Sequence, residues 1–322
     1  MSFKLVMLPP QTQVYRNWGK ALQEEFSGLE VVIAETDDQA AAAIVEADGA
    51  VGGLPKDLLA KATKLRWLQS HQAAPPAGYY YPELIAHPLV VTNMREIFND
   101  HIGAHIMAFV LAFARGLHYY IPHQLRGDWA PRPLDSGIVA LPGSTALIVG
   151  MGGIGAETAR LAAAFGMNVI ATDARRTSAP PGVSELHPPA ALDDLLPRAD
   201  FVILTVPHTP ATEGFMDRVR FRLMKRSAFF INIGRGMTTR LDDLAEALRT
   251  GEIAGAALDV FEQEPLPSAH PLWTMPNVLI TPHTAGFGPF LDERRYAILR
   301  DNCRAMLTGG PLRNVVDKAA WF

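Results

Sequence analysis

Short apolar runs alternate with stretches of helical spacing over the first hundred residues. Lys4–Leu8, Glu30–Ala34, Gly49–Gly52 and Leu65–Gln69 read as strands; Tyr15–Phe26, Asp37–Ala47 and Lys56–Ala62 read as helices. Strands interleaved with helices predict parallel βαβ units, and so an α/β fold with helices on both faces of the sheet. Ser70–Tyr81 interrupts the alternation with Pro75, Pro76 and Gly78. It follows a strand, and open α/β sheets hold ligands at the carboxyl ends of their strands. A long helix is predicted from about Asn99 to Leu117, then an irregular arm over Tyr119–Ser144 that carries Trp129. At Thr145 the alternation restarts and runs to about Ile280, and a last helix is predicted over Pro289–Leu307.

The second stretch opens on a definite order. Thr145–Val149 is an apolar run, followed at once by Gly150, Gly152, Gly153, Ile154 and Gly155. A helical Ala156–Phe165 comes next, then a strand at Asn168–Thr172 with Asp173 at its end. Strand, GxGxxG, helix, strand and acid make the order of a dinucleotide-binding unit. Gly150 allows the tight turn, Gly152 lets backbone approach a pyrophosphate, and Gly155 lets helix and strand pack closely. The pyrophosphate then meets N–H groups at the positive end of the helix. Asp173 stands close to the usual spacing of about 20 residues and is placed to accept bonds from the adenosine ribose. A carboxylate there repels the 2′-phosphate of NADP, so NAD is the predicted cofactor. Arg175 and Arg176 follow and suit that phosphate, which keeps NADP as the alternative.

Length and composition narrow the rest. At about 150 residues per domain, 322 residues imply about two domains. A net charge of −4 argues against a nucleic-acid partner, which needs clustered cations. The most apolar stretch, Ile106–Ala114, falls well short of the roughly 20 residues that span a bilayer, so no membrane partner is expected. The first ten residues lack the pattern of a signal peptide. Cys303 is the single cysteine, which excludes an internal disulfide framework and a Cys-rich zinc site and suits a reducing, cytoplasmic setting. His101 and His105 lie one helical turn apart, but no third ligand is evident, and no metal is expected.

Three later segments place polar groups at the ends of apolar runs: Phe229–Gly236 with Arg235, Ala256–Pro265 with Asp259 and Glu264, and Val278–Gly286 with His283. Reduction of a 2-oxo acid needs a hydride and a proton for the developing alkoxide. Histidine titrates nearest neutrality and suits the proton. A neighbouring carboxylate stabilises the imidazolium, and an arginine pins a carboxylate with two parallel hydrogen bonds. Glu262 and Asp292 read as ordinary structural acids.

Together with Thr205–Thr212, Ile231–Gly236 and Gly255–Pro265, these motifs resemble the D-isomer-specific 2-hydroxyacid dehydrogenase family. The resemblance runs over nearly the whole chain and is densest from Leu147 to Gly286. It implies two doubly wound lobes with the active site in the cleft between them. One is a flavodoxin-like substrate lobe, residues 1–98 plus 287–322; the other is a Rossmann nucleotide lobe, residues 99–286. It implies that Arg235 binds substrate, that His283 is the general acid/base, and that Glu264 orients it. Val206, Pro207, Thr212, Ile233 and Asp259 would line the cofactor beside the glycine loop, Asp173, Arg175 and His283, with Asp259 near the nicotinamide carboxamide. The family's substrate loop matches Ser70, Gln72, Ala73 and Ala74, which with Arg235 and His283 would hold a small 2-oxo or 2-hydroxy acid.

This chain departs from the family's Ser-Ala-Gly-like turn there, with Gln72, Ala73 and Ala74 followed by two prolines. The formate-oxidising branch carries Gln where this chain has Glu264, which argues against formate. Glyoxylate or hydroxypyruvate is the favoured substrate. Two alternatives stay open: a nucleotide-sensing, corepressor-like scaffold, and a same-fold dehydrogenase of a non-carboxylate substrate such as phosphite. The resemblance also implies a homodimer joined through the nucleotide lobes, with Trp129 as an anchor.

Overall fold

A computed structural model describes residues 2–73, 78–133 and 137–321. The polypeptide divides into two units, Met1–Ile97 with Gly288–Phe322, and Phe98–Phe287.

The first unit holds five strands: β1 (Phe3–Met7), β2 (Leu29–Ile33), β3 (Gly49–Val51), β4 (Trp67–Gln69) and β5 (Val90–Thr92). They lie in the order β2-β1-β3-β4-β5 and every pairing is parallel. Val6, Ala50, Leu68 and Val91 bury one face with Ile44, Leu58 and Leu84. Phe3, Leu5, Met7 and Trp67 are buried as well. The alternating residues of each strand therefore reach apolar surroundings, which is why the strands read as continuous apolar runs. The sheet reverses direction between β1 and β3, and the loops after β3, β4 and β5 rise from its carboxyl edge.

The second unit holds seven: β6 (Thr145–Val149), β7 (Asn168–Thr172), β8 (Glu185–His187), β9 (Phe201–Leu204), β10 (Phe229–Asn232), β11 (Gly255–Leu258) and β12 (Val278–Ile280). Their order is β12-β11-β10-β9-β6-β7-β8, again all parallel. Leu147, Val149, Leu204 and Phe230 join one core, and Ala146, Ile148, Ile203 and Phe229 join another on the opposite face. The order reverses between β6 and β9, so the ligand crevice of this unit lies above their carboxyl ends.

Two stretches differ from the pattern read along the sequence. The long helix runs Asn99–Ala114 and stops at Gly116, which takes a left-handed φ of 70°. A second helix, Leu117–Leu125, then leaves at 76° to the first, where an irregular arm was expected. Pro122 sits inside it and cannot donate to a carbonyl one turn back, which is what hid the helix from its sequence. Among the described residues, no single helix is long and apolar enough to cross a membrane.

Candidate active site

The crevice of the second unit is built from close backbone approaches. Gly150 has a φ of +98°, and a Cβ there would come 2.8 Å from Val206 Cγ1. A Cβ on Gly155 would come 2.1 Å from the Gly150 carbonyl oxygen. Thr205 Oγ1 donates to that same oxygen at 2.7 Å, which fastens the β9 loop to the glycine loop. Thr212 Oγ1 donates to the Pro207 carbonyl at 2.7 Å and closes the next turn. Ile233 is buried below. The helix Gly153–Ala164 starts from an extended Gly152, and no side chain caps it. The amides of Gly153, Ile154 and Gly155 thus fall in an open first turn. Among the described residues, nothing lies within 4 Å of a Cβ placed on Gly152. An uncapped positive helix end with room before it fits the pyrophosphate of a dinucleotide.

Asp173 stands at the end of β7. Its Oδ2 accepts the Met151 N–H at 2.6 Å, and its Oδ1 accepts the Arg175 and Arg176 amides at 2.8 and 2.7 Å. Burial raises the pKa of this carboxyl, but the three amides outweigh burial and hold it below the ordinary value. A carboxylate offers about four lone-pair sites, so one remains for a ribose hydroxyl. Arg176 Nε donates to the Met151 carbonyl at 3.1 Å, which keeps a cation beside the carboxylate.

Arg235 projects from a tight turn after β10. Asn232 is fully buried beneath it. Asn232 Oδ1 accepts the Gly234 N–H at 3.0 Å, and its Nδ2 donates to the Arg235 carbonyl at 3.1 Å and to Thr239 Oγ1 at 3.0 Å. Thr238 Oγ1 donates to the Arg235 carbonyl at 2.6 Å. The turn is wedged so closely that a Cβ on Gly236 would lie 1.8 Å from the Phe261 carbonyl carbon. Burial pulls the pKa of the Arg235 guanidinium down, and the Glu264 charge opposes this.

Glu264 Oε1 accepts the Phe261 N–H at 3.0 Å, and its Oε2 lies 2.7 Å from His283 Nδ1. His283 and Glu264 keep 50% and 36% of their side-chain surface, so the pair is open to an incoming molecule. With Nδ1 turned to the carboxylate, Nε2 is the ring atom left to face it. A cation for an anionic substrate and a proton-bearing imidazole backed by an acid together suit carbonyl reduction.

Residues 107–285 match the family described as D-isomer specific 2-hydroxyacid dehydrogenase, NAD binding domain. A glyoxylate/hydroxypyruvate reductase B of Serratia proteamaculans is 32% identical over 327 residues, 96% of this chain and 98% of that protein. The chain belongs to the D-isomer specific 2-hydroxyacid dehydrogenase family. It is also 34% identical, over 71% of its length, to a D-3-phosphoglycerate dehydrogenase of Methanocaldococcus jannaschii; the match spans 43% of that protein. The crystal structure of a D-isomer specific 2-hydroxyacid dehydrogenase from Xanthobacter autotrophicus, in complex with NADPH and MES, aligns over 100% of both chains. Its TM-score is 0.85 at 29% identity. This dehydrogenase is accordingly an NAD(P)-dependent oxidoreductase of two α/β lobes.

Within the dehydrogenase, Arg235, Asp259, Glu264 and His283 gather at the carboxyl ends of β10, β11 and β12. Ser70, Gln72 and Ala73 belong to the other unit, after β4. Ser70 Oγ accepts the Gln72 N–H at 3.2 Å, and the Ala73 carbonyl accepts from Asn93 Nδ2 at 2.9 Å. Ala74, Pro75 and Pro76 lie outside the described residues. Glu262 Oε2 accepts the Leu241 N–H at 3.0 Å at a helix start, and Asp292 pairs with Arg295 at 2.9 Å. His208 Nε2 stands 3.6 Å from Glu213 Oε2. Asn232, Thr205 and Thr281 were not singled out from the sequence. Each is a small polar residue ending an apolar strand, and that position is the one signal they give.

Proposed function

We propose that this dehydrogenase reduces small, unphosphorylated 2-oxo acids, with glyoxylate and hydroxypyruvate as the favoured substrates. Where the new carbon is chiral, the product is the D-2-hydroxy acid. The hydrogen bond of 2.7 Å between His283 Nδ1 and Glu264 Oε2, with Arg235 close enough to feel the Glu264 charge, carries the reading. Arg235 binds the substrate carboxylate through two parallel N–H···O bonds and fixes the 2-oxo group. His283 gives the proton on Nε2 to the oxygen that becomes the alkoxide, and Glu264 stabilises the imidazolium beforehand. When bound, the nicotinamide supplies the hydride.

The unit Phe98–Phe287 holds the dinucleotide, and Ser70, Gln72 and Ala73, after β4 in the other unit, are the described residues assigned to the substrate loop. No Lys or Arg occurs between Arg66 and Arg95, which speaks against a phosphorylated substrate at that loop. Asp259, assigned to the nicotinamide end of the site, is buried with three donors on its carboxylate and acts there through the turn it holds. NAD is the favoured cofactor because Asp173 faces the ribose site; Arg175 and Arg176 let NADP compete, as the NADPH-bound relative would suggest.

We also propose a homodimer. Leu117, Ile121 and Trp273 line one apolar surface of the nucleotide unit, and Leu125 and Trp129 of the same unit are 82% and 95% exposed. Apolar patches of this kind mark association sites. A cytoplasmic setting suits its single buried thiol.

The test is NADH and NADPH oxidation with glyoxylate, hydroxypyruvate, pyruvate and phenylpyruvate, by wild type and by Asp173→Ala. Turnover of glyoxylate or hydroxypyruvate, with NADH preferred and the preference relaxed in the variant, is expected. No turnover on the panel would overturn the substrate reading, and an unchanged cofactor ratio would overturn the role of Asp173.

A further inference from the structure

His283 is held in an unusual backbone state. Its φ is +54°, a left-handed conformation that strains a side-chain-bearing residue. Its N–H donates to the Asp259 carbonyl at 2.8 Å and to the Thr281 carbonyl at 3.1 Å. The Asp259 side chain grips the same turn from below. It is 1% exposed. Oδ1 accepts the Thr281 hydroxyl at 2.6 Å and the Thr284 N–H at 2.8 Å, and Oδ2 accepts the Ala285 N–H at 3.0 Å. These donors lie on both sides of His283, so the buried carboxylate fixes where the imidazole emerges.

The network continues one step further. The Thr281 hydroxyl has a single proton, and it goes to Asp259. Its oxygen then accepts from whatever stands on its other side, which is His105 Nε2 at 3.0 Å. His105 lies on the helix Asn99–Ala114, with its ring edge-on to Phe109 at 4.7 Å. Burial lowers its pKa, and Asp259 opposes this, so near neutral pH the ring carries one proton. Thr281 requires that proton on Nε2. Hydrogen bonds in such a chain polarise one another, and a buried carboxylate loses most when one donor is withdrawn.

We infer that His105 is a positioning residue for His283, acting through the Thr281 hydroxyl and the Asp259 carboxylate. It rests on the reading of His283 as the proton donor. It assigns the Nε2–H of His105 the task of holding the Thr281 proton on Asp259, which keeps the Thr284 and Ala285 amides bound and the His283 ring aimed.

Substitutions of His105 and Thr281 in the full chain test this with two readouts. Glutamine places an N–H donor near the Nε2 position; leucine removes it. In His105→Leu and in Thr281→Val, amide exchange at Thr284 and Ala285 should quicken about tenfold, the size of one lost hydrogen bond. With whichever 2-oxo acid the wild type reduces, kcat should fall about as far, while KM and the NADH Kd hold. His105→Gln should keep both exchange and kcat near wild type. The double variant His105→Leu/Thr281→Val should be no worse than the poorer single variant. Wild-type exchange in His105→Leu would overturn the inference. So would a glutamine variant as impaired as the leucine one, or fully additive losses in the double variant. If the wild type reduces no 2-oxo acid, the functional reading fails, and the exchange rates alone decide on the relay.

Discussion

Glu264 answers to two partners at once. One oxygen is spent on the Phe261 amide, which fixes the carboxylate; the other reaches His283. The residue therefore fixes the direction in which the imidazole points. Burial pulls the pKa of Arg235 down, and the Glu264 charge opposes part of that pull. Arg235 and His283 thus share one carboxylate. His283→Ala should lower kcat by about 10²–10⁴, the usual yield of a positioned proton donor, with the NADH Kd unchanged by fluorescence titration. Arg235→Ala should raise KM and lower kcat together, because binding and orientation are lost at one atom group. Near-wild-type steady-state rates in either variant would remove that residue from the site. These residues were legible because chemistry at the end of a strand stands out against an apolar run. Asn232 was not: its four hydrogen-bonding positions become meaningful when the turn it holds is seen.

At the level of elements, the turn Gly234–Gly236 shows how a loop becomes rigid without helix or sheet. Asn232 binds it from beneath, Thr238 from the side, and Gly236 lies against the Phe261 backbone. Gly236→Ala places a methyl 1.8 Å from a carbonyl carbon, and backbone cannot rotate aside. The variant should lose about 1–3 kcal/mol of stability by denaturant unfolding. It should lose catalytic rate beyond that, because Arg235 moves with the turn; a fully active, equally stable variant would show the contact to be soft. The parallel strands were readable because both faces of each sheet are buried, which writes them as short apolar runs. β9 was read only as part of the alternation, and two more strands escaped. β5 begins with an exposed Val90, and β8 is a partly exposed edge strand whose Glu185 is tied to His187 and Arg198. The helix Leu117–Leu125 escaped because Pro122 marks a break in most sequences, and here the bend falls earlier, at Gly116.

On the scale of the whole molecule, the two units have separate sheets with switch points of their own. The helix Leu117–Leu125 rests on its own unit through His118, against Phe113 and Phe229, and leaves Ile121, Leu125 and the nearby Trp129 exposed. The proposed homodimer would bury them against a second copy, and closed twofold pairs are the commonest assembly. Sedimentation at micromolar concentration should give twice the 35.1 kDa chain mass. Trp129→Glu should shift it toward the monomer, and a wild-type monomer would refute the dimer.

Cys303 has one more consequence. It lies fully buried on the last helix, Leu291–Thr308, and burial pushes its thiol up to about 12. Thiol reagents attack the thiolate, so in the closed protein this sulfur is silent at neutral pH. It is also the one sulfhydryl in the sequence, and the nucleotide unit has none. The chain thus carries a built-in stopwatch: each labelling event times an opening of the unit Met1–Ile97 with Gly288–Phe322, with no contribution from the unit that holds the glycine loop.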